Sequence, residues 1–519
     1  MVFNSFGFIL LFLPAFLLAM QLARQIAQRG SEYKEACKIV IIAFSLVFYG
    51  LFGVKNCVVL VASIVLNAIG VLLLRGRKVR GTGDITKTQK VLLLILVVMN
   101  VVSLLFFKFS GVFFPIAVSF YTFNQISYIV DTYKGEIDSF NLIDYLAYIL
   151  FFPKILQGPL MGYGDFTDRL EKAIGQGGDE ESVSSNVGDC GPNAEVMLRA
   201  LFLLSMGLFK KAILADTFGR AVDYGYDNLM SLGSLEAILV AVFYSFQLYF
   251  DFSGYCDMAG AVCMMMGFDL PDNFNSPYKA VNIIDFWKRW HISLTKFFTK
   301  YVYIPFGGNR KGAVRMYINF MIVFLLSGLW HGSGWTFIVW GAMHGVLYVV
   351  TRAVKHGKKP GEAGEKLGKA SVDSCGNSRI KGILSVLCQC ASVTLTFIYV
   401  TVAWVFFRAN TITDAITLLT RVFTGGAKRV ATGISACFQL DELWYVIKVT
   451  PIMKLPFAWE ACLWLFLIAG IAIIFFSKNA IEICKNCKIG IKTTLLTAFL
   501  LVWSIVSFAG VSTFLYMNF

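Results

Sequence analysis

Runs of roughly 15 to 20 apolar residues recur along the whole chain, the length an α-helix needs to cross the hydrocarbon core of a bilayer. They predict spans near 5–22, 39–54, 57–74, 91–107, 113–131, 142–156, 198–214, 231–250, 253–270, 313–330, 334–353, 382–407, 457–477 and 492–511. Some are short enough to be re-entrant, so the pattern predicts roughly 11–13 transmembrane helices with re-entrant and interfacial helices beside them. The expected fold class is an all-α polytopic membrane protein. The first run, Phe6 to Met20, has no basic residue before it and no small-residue cleavage pattern after it. It reads as a retained span rather than a signal peptide.

The polar positions between the runs suggest an orientation. Arg24, Arg29, Lys34 and Lys38 follow the first span, and Arg75, Arg77, Lys78, Arg80, Lys87 and Lys90 follow the third. Basic loops stay cytoplasmic, which puts the N-terminus outside and the acidic 157–197 loop (Asp165, Asp168, Glu171, Asp179, Glu180, Glu181, Asp189, Glu195) on that same outer side. Its Gly/Ser-rich stretch, Gly175 to Asn193, is expected to be mobile. A second polar insert, Lys355 to Lys381, reads as a flexible cytoplasmic connector, and His356 in it as a solvated loop histidine. No internal repeat is evident, which counts against a transporter built from duplicated halves. The expected organisation is one integral-membrane domain, 1–519: N-terminal spans 1–110, a motif-bearing core 111–350, a polar loop 351–381 and C-terminal spans 382–519.

Composition agrees with this class: 57% of residues are hydrophobic and 15% charged, with a mean hydropathy of +0.68. The net charge of +14 sits in loops, as expected of a membrane protein, and does not signal nucleic acid. Twelve Cys are scattered, several inside apolar runs, where they act as small hydrophobes. Cys484 and Cys487 form a lone C-x-x-C with neither a second pair nor a nearby His, so no metal site is expected.

Candidate chemistry concentrates in the histidines, of which there are only four. In the segment Asp285–Tyr301, helical spacing puts Asp285, Arg289, Ser293, Lys296 and Lys300 on one stripe, with Phe286, Trp287, Trp290, Leu294, Phe297, Phe298 and Tyr301 opposite. This pattern predicts a basic amphipathic helix at the membrane surface, with His291 at the edge of its apolar face. Pro305 and Gly307-Gly308 then break the helix, giving either a structural turn or a loop that lines a cavity. In Leu326-Ser-Gly-Leu-Trp-His-Gly-Ser-Gly-Trp335, His331 stands among small residues after an apolar run, where Gly328, Gly332 and Gly334 allow close helix approach or leave room for a substrate. An imidazole desolvated there stays neutral and can act as a general base; a structural interhelical hydrogen bond is the alternative. His344, in the next apolar run, reads as a structural partner. Asp251 and Asp257 lie at a membrane boundary, Asp251 either beside a protonated imidazole or paired with Arg289.

Several stretches together resemble the membrane-bound O-acyltransferases, and within them the branch of the alginate O-acetyltransferase membrane subunit. These are Phe286-Trp-x-Arg-Trp-His-Ile-Ser-Leu, Tyr301-Val-Tyr-Ile-Pro-x-Gly-Gly-Asn-Arg, Gly328-Leu-Trp-His-Gly, Ser119-Phe-Tyr-Thr-Phe, Phe151-Phe-Pro-Lys-Ile-Leu-Gln-Gly-Pro159, Gly207-Leu-Phe-Lys-Lys, Tyr249-Phe-Asp-Phe-Ser-Gly-Tyr and Trp404-Val-Phe-Phe-Arg-Ala-Asn410. The resemblance implies that His331 is the active-site histidine and His291 the second one. It also implies a ring of helices around a central tunnel, entered by acyl groups from the cytoplasmic side. Trp287, Arg289, Trp290, Tyr303, Pro305, Gly307, Gly308, Asn309, Trp330, Gly332, Asp251 and Gln157 are the expected substrate and tunnel positions. Lys300 departs from the family pattern, where many relatives carry an acidic residue.

The resulting expectation is a plasma-membrane O-acyltransferase that moves an acyl group, acetyl first, from a thioester donor to hydroxyls of an extracytoplasmic polysaccharide. The donor is acetyl-CoA or an acyl carrier, with no tightly bound cofactor. The expected partners are the bilayer, an extracytoplasmic acyltransferase protein and the polysaccharide acceptor. The loop at Gly307-Gly308 or Asn309 is the expected source of oxyanion donors. D-alanyl transfer to teichoic acid from a carrier protein keeps the chemistry and changes the cargo. A proton-coupled transporter with a histidine relay is the alternative of a different class.

Overall fold

The computed structural model describes residues 1–26, 31–76, 87–175, 193–356, 378–440, 450–451, 457–510 and 513–515. The basic positions Arg29, Arg77, Lys78 and Arg80, the 176–192 part of the Gly/Ser-rich stretch and the 357–377 part of the connector lie outside the described residues.

Every regular element among the described residues is helical. In chain order these are α1 (Leu13–Ile26), α2 (Ser31–Gly50), α3 (Val54–Gly76), α4 (Lys87–Phe109), α5 (Val118–Lys134), α6 (Leu142–Leu150), α7 (Phe152–Ile155), α8 (Tyr163–Gly175) and α9 (Ala194–Phe209). There follow α10 (Asp216–Asp227), α11 (Ser234–Met265), α12 (Ile283–Arg289), α13 (Ile292–Phe298), α14 (Ala313–His331), α15 (Trp335–His356), α16 (Ser378–Arg408) and α17 (Ile412–Thr424). The last four are α18 (Thr432–Ala436), α19 (Ala458–Ile471), α20 (Ala480–Asn486) and α21 (Ile491–Val506). Eight helical runs among the described residues are long and apolar enough to cross a membrane: Phe8–Gln25, Val54–Arg75, Lys87–Phe109, Ser234–Met265, Ala313–His331, Trp335–Val354, Gly382–Arg408 and Ala458–Phe476. The protein is an all-α polytopic membrane protein.

Three expected spans take a different form. The runs at 231–250 and 253–270 are one helix, α11, 32 residues long. The run at 142–156 breaks at Phe151, whose extended ψ ends α6, and Pro153 then sits in the first turn of α7, where its missing N–H is not needed.

The chain forms two compact units: Met1–Asp216 with Tyr249–Asp272 and Ala480–Phe519, and Thr217–Leu248 with Asn273–Asn479. The core of the first includes a cluster of phenylalanines, in which Phe152 meets Phe12 and Phe16 edge-on at 5.3 and 5.1 Å. It also carries a buried charge cluster. A π-helical turn, Lys210–Ala215, presents two lysines to carboxylates of α10 and α11. Lys210 Nζ is 2.6 Å from Asp257, and Lys211 Nζ is 2.8 Å from Asp216 and 2.9 Å from Asp251. Asp251 is thus the partner of Lys211, whereas Arg289, its expected partner, pairs with Asp285 at 2.9 Å, one helical turn away. Close counter-charges are what let α11 carry the buried Asp251 and Asp257 without breaking.

In the second unit α14 and α15 form an antiparallel hairpin that packs on α16 and α12. Polar side chains fasten its loops. Glu236 accepts from the N–H groups of Gly233 and Ala431, both at 2.6 Å, and Tyr278 donates to the Ser245 carbonyl at 2.7 Å. In the Trp404–Asn410 motif, Arg408 pairs with Asp223 at 2.7 Å and lies over the Tyr226 ring.

Candidate active site

The expected amphipathic helix over 285–301 is broken at its histidine. His291 has φ of 45°, a left-handed conformation, and separates α12 from α13, while Trp290 is extended. The segment is therefore two short helices with a sharp corner, and the corner turns His291 inward to full burial. Neither Gly nor Pro marks this break. It is held by Asn273, whose Oδ1 lies 3.3 Å from His291 Nδ1 and accepts from Ser293 N–H at 3.0 Å and Ser293 Oγ at 2.9 Å. The Asn273 carbonyl also accepts from Ile292 N–H at 3.1 Å. A bulky residue in the left-handed region costs free energy, and these bonds oppose that cost. Burial pushes the His291 imidazole down to about 3, so it is neutral at physiological pH.

His331 is the last residue of α14 and is 3% exposed. Its ring stands 4.6 Å from Trp330, 5.1 Å from Trp340 and 5.0 Å from Phe407, an aromatic box drawn from three helices. The Trp330 indole is also 6.3 Å from His291, so the two imidazoles flank one ring. Trp340 in turn lies 5.0 Å from His344. His344 is fully buried among rings, and neither ring nitrogen has a hydrogen-bond partner among the described residues. Among the described residues it makes no interhelical hydrogen bond, so its structural part is packing against these rings rather than hydrogen-bonded pairing.

Glycine sets how close these walls come. A Cβ on Gly328 would stand 2.4 Å from the Phe337 carbonyl oxygen, and one on Gly332 2.0 Å from the Phe337 ring. Both are close-approach positions that leave no room for a side chain. Gly334 is different, since a Cβ there would make only an ordinary contact with Thr336.

Beside this box lies a mostly apolar cavity of about 410 Å³, lined among others by Trp287, Lys288, Tyr303, Asn309, Ser327 and Arg352. Ser327 is one helical turn before His331. Three expected positions, Trp287, Tyr303 and Asn309, meet in this cavity. Trp290 is packed instead between Phe274 and Trp404 at 5.1 Å each. Arg289 is held by Asp285 and the Asn275 carbonyl. Pro305 is exposed in the turn after Tyr303, and Lys300 lies over the Tyr301 ring at 5.2 Å. The amides of Gly307 and Gly308 donate to the carbonyls of Ile304 and Tyr303, both at 2.9 Å. Those two N–H groups close the turn and are not aimed at an oxyanion. Asn319, fully buried, supports the same turn through the Gly308 carbonyl at 3.1 Å and the Phe306 carbonyl at 3.3 Å.

Asp251 and Gln157 belong to the first unit. Asp251 is bonded to Lys211 and accepts from Leu515 N–H at 3.1 Å. Gln157 is fully buried, and its amide has no partner among the described residues. Sequence reasoning missed Asn273, Asn319 and Trp340, and it met Phe407 only inside the Trp404–Asn410 stretch, without a role at the site. The lone Asn319 inside an apolar run was the one visible signal, because such a residue is costly unless bonded.

A helical membrane scaffold that buries two histidines beside an apolar cavity suits acyl transfer, and comparison with known proteins gives the same class. Residues 41–359 match the MBOAT, membrane-bound O-acyltransferase family. The chain belongs to that family and is an O-acyltransferase, which sets aside the transporter. It is 32% identical to a peptidoglycan O-acetyltransferase of Helicobacter pylori, over 100% of this chain and 98% of that one. It is 31% identical to a probable alginate O-acetylase, AlgI, of Pseudomonas aeruginosa over 85% of this chain and 77% of the relative. A teichoic acid D-alanyltransferase of Streptococcus thermophilus is 28% identical over 47% of this chain and 58% of its own.

Proposed function

We propose that this enzyme acts at the plasma membrane and transfers acetyl groups from a thioester donor to hydroxyls of an extracytoplasmic polysaccharide, with His331 handling the proton. The observation that carries the reading is the burial of His331 in its aromatic box, one turn from the cavity at Ser327. The neutral imidazole takes the proton as the acceptor oxygen attacks the thioester carbon. The carbon–sulfur bond then breaks, and the leaving sulfur recovers that proton as a free thiol. An acetyl-imidazole intermediate on His331 is the other route to the same products. His291, fixed by Asn273, positions the Trp330 wall that both histidines share.

Peptidoglycan is the favoured acceptor, because the relative that acts on it matches end to end. The donor is acetyl-CoA or an acetylated carrier entering along a tunnel from the cytoplasm, and a separate extracytoplasmic protein passes the group to the polymer. The test is transfer of labelled acetyl from a thioester in membrane vesicles that hold the chain together with its extracytoplasmic partner, with purified peptidoglycan, alginate and teichoic acid as acceptors. Acetylation of peptidoglycan that His331→Ala abolishes is the expected result. Transfer from a D-alanyl thioester in preference to an acetyl thioester would favour the teichoic acid reading, and transfer that survives His331→Ala would overturn the role of that residue.

A further inference from the structure

Away from the histidines, the first unit has a second concave feature. The turn between α20 and α21 faces the start of α9 across an open pocket of about 660 Å³, lined among others by Leu198, Arg199, Lys485, Asn486 and Lys488. Arg199 is neutralised by Glu195 at 2.7 Å. It also donates to the carbonyls of Cys484 at 2.6 Å and Lys485 at 3.3 Å, which pins the turn to α9 and fixes where its lysines stand. Lys485 and Lys488 are exposed and have no carboxylate partner among the described residues. Glu195 also lines the pocket and matches Arg199, so among the described residues Lys485 and Lys488 there are left without a counter-charge.

Beyond the turn the chain becomes apolar. Along α21, Ile491, Leu495, Phe499, Val502 and Val506 recur at helical spacing, and each is more than half exposed. A pair of fixed cations thus stands at the foot of an outward hydrocarbon stripe. That is the charge and polarity pattern of an anionic phospholipid in reverse. A soluble phosphate would use the lysines and leave the stripe bare, and a neutral or zwitterionic lipid would gain little from the lysines. Lysines that merely flank a helix at an interface do not require a pocket or a staked backbone.

We propose that this groove is a binding site for an anionic glycerophospholipid, its phosphate between Lys485 and Lys488 and an acyl chain along the α21 stripe. The full chain is compared in phosphatidylcholine vesicles with and without phosphatidylglycerol, reading thermal unfolding and labelling by a photoreactive phosphatidylglycerol. Phosphatidylglycerol is expected to raise the unfolding temperature of the wild type and to label α21. Each lysine near an anionic headgroup is worth about fivefold in affinity, so Lys485→Gln with Lys488→Gln lowers apparent affinity about thirtyfold. Lys485→Arg with Lys488→Arg keeps it, which separates charge from folding. Leu495→Asn weakens labelling with the lysines intact. Equal stabilisation of the wild type and the glutamine variant, or full stabilisation of detergent-solubilised protein by inorganic phosphate alone, overturns the proposal.

Discussion

Asn273 and His291 are 18 positions apart in sequence, yet the asparagine oxygen sits 3.3 Å from the histidine Nδ1 and also receives both donors of Ser293. One side-chain carbonyl therefore fixes the corner that buries the second histidine. Asn273→Ala leaves several buried groups unmatched and should lower stability by about 1–3 kcal/mol. Activity should fall with it, because His291 and the indole it shares with His331 lose their seat. Thermal unfolding and transfer rate measured on the same preparation check this. An unchanged rate would show that the corner is structural only.

His331→Ala removes the proposed proton acceptor and should reduce acetyl transfer by about 10²–10⁴-fold. Folding should survive, since neighbouring rings close much of the gap. Steady-state transfer with size-exclusion behaviour as the control decides it. A loss confined to the apparent affinity for acceptor would point to binding rather than proton transfer.

Stability should also depend on pH through His291, which lies outside the long spans. Burial lowers its imidazole from the ordinary 6.5 to about 3. Below the ordinary value the unfolded chain takes up a proton that the folded chain does not, so acid favours unfolding. This contribution is fully present above about 6.5 and declines as pH falls towards 3. Thermal unfolding followed from neutral pH down to about 4 should show the slope, and His291→Gln should flatten it.

Lys211 is the cation that Asp216 and Asp251 share inside the first unit. Lys211→Met leaves two buried carboxylates without their cation and should cost about 3–5 kcal/mol. Adding Asp251→Asn should recover part of that loss. Yield and unfolding temperature of the single and double variants test it, and strictly additive losses would mean that the two groups do not act as a pair.

Gly328→Ala drives a methyl group into the Phe337 carbonyl, where the gap is 2.4 Å. The backbone of α15 must shift, at a cost of about 1–3 kcal/mol. Gly334→Ala, which meets no such contact, is the matched control in the same unfolding assay.

Much of the architecture is legible from hydrophobic run length, because a bilayer imposes one on each span. The helices α3, α4, α14, α15 and α16 fall close to their predicted runs. Legibility ends where one residue's conformation depends on a distant partner. Nothing in Trp290-His291-Ile292 signals a left-handed corner, because its cause is Asn273. Nothing in Tyr249-Phe-Asp-Phe signals an uninterrupted helix, because the charge that makes Asp251 tolerable comes from Lys211. At the site, His331 stood out as an ionisable group after an apolar run, whereas its aromatic walls Trp340 and Phe407 look like ordinary core residues until the fold gathers them.

The lysine–carboxylate cluster also bears on how the chain enters its membrane. Lys211 precedes Asp251 by 40 positions and Lys210 precedes Asp257 by 47, so synthesis delivers both cations before the acidic helix. A 32-residue segment that carries Asp251 and Asp257 in its second half, besides Glu236 in its first turn, inserts poorly by itself. Arriving after its counter-ions, α11 is neutralised on contact, and the order of synthesis becomes part of what makes a charged span insertable. Delivering the lysines after α11 instead of before it would remove that advantage.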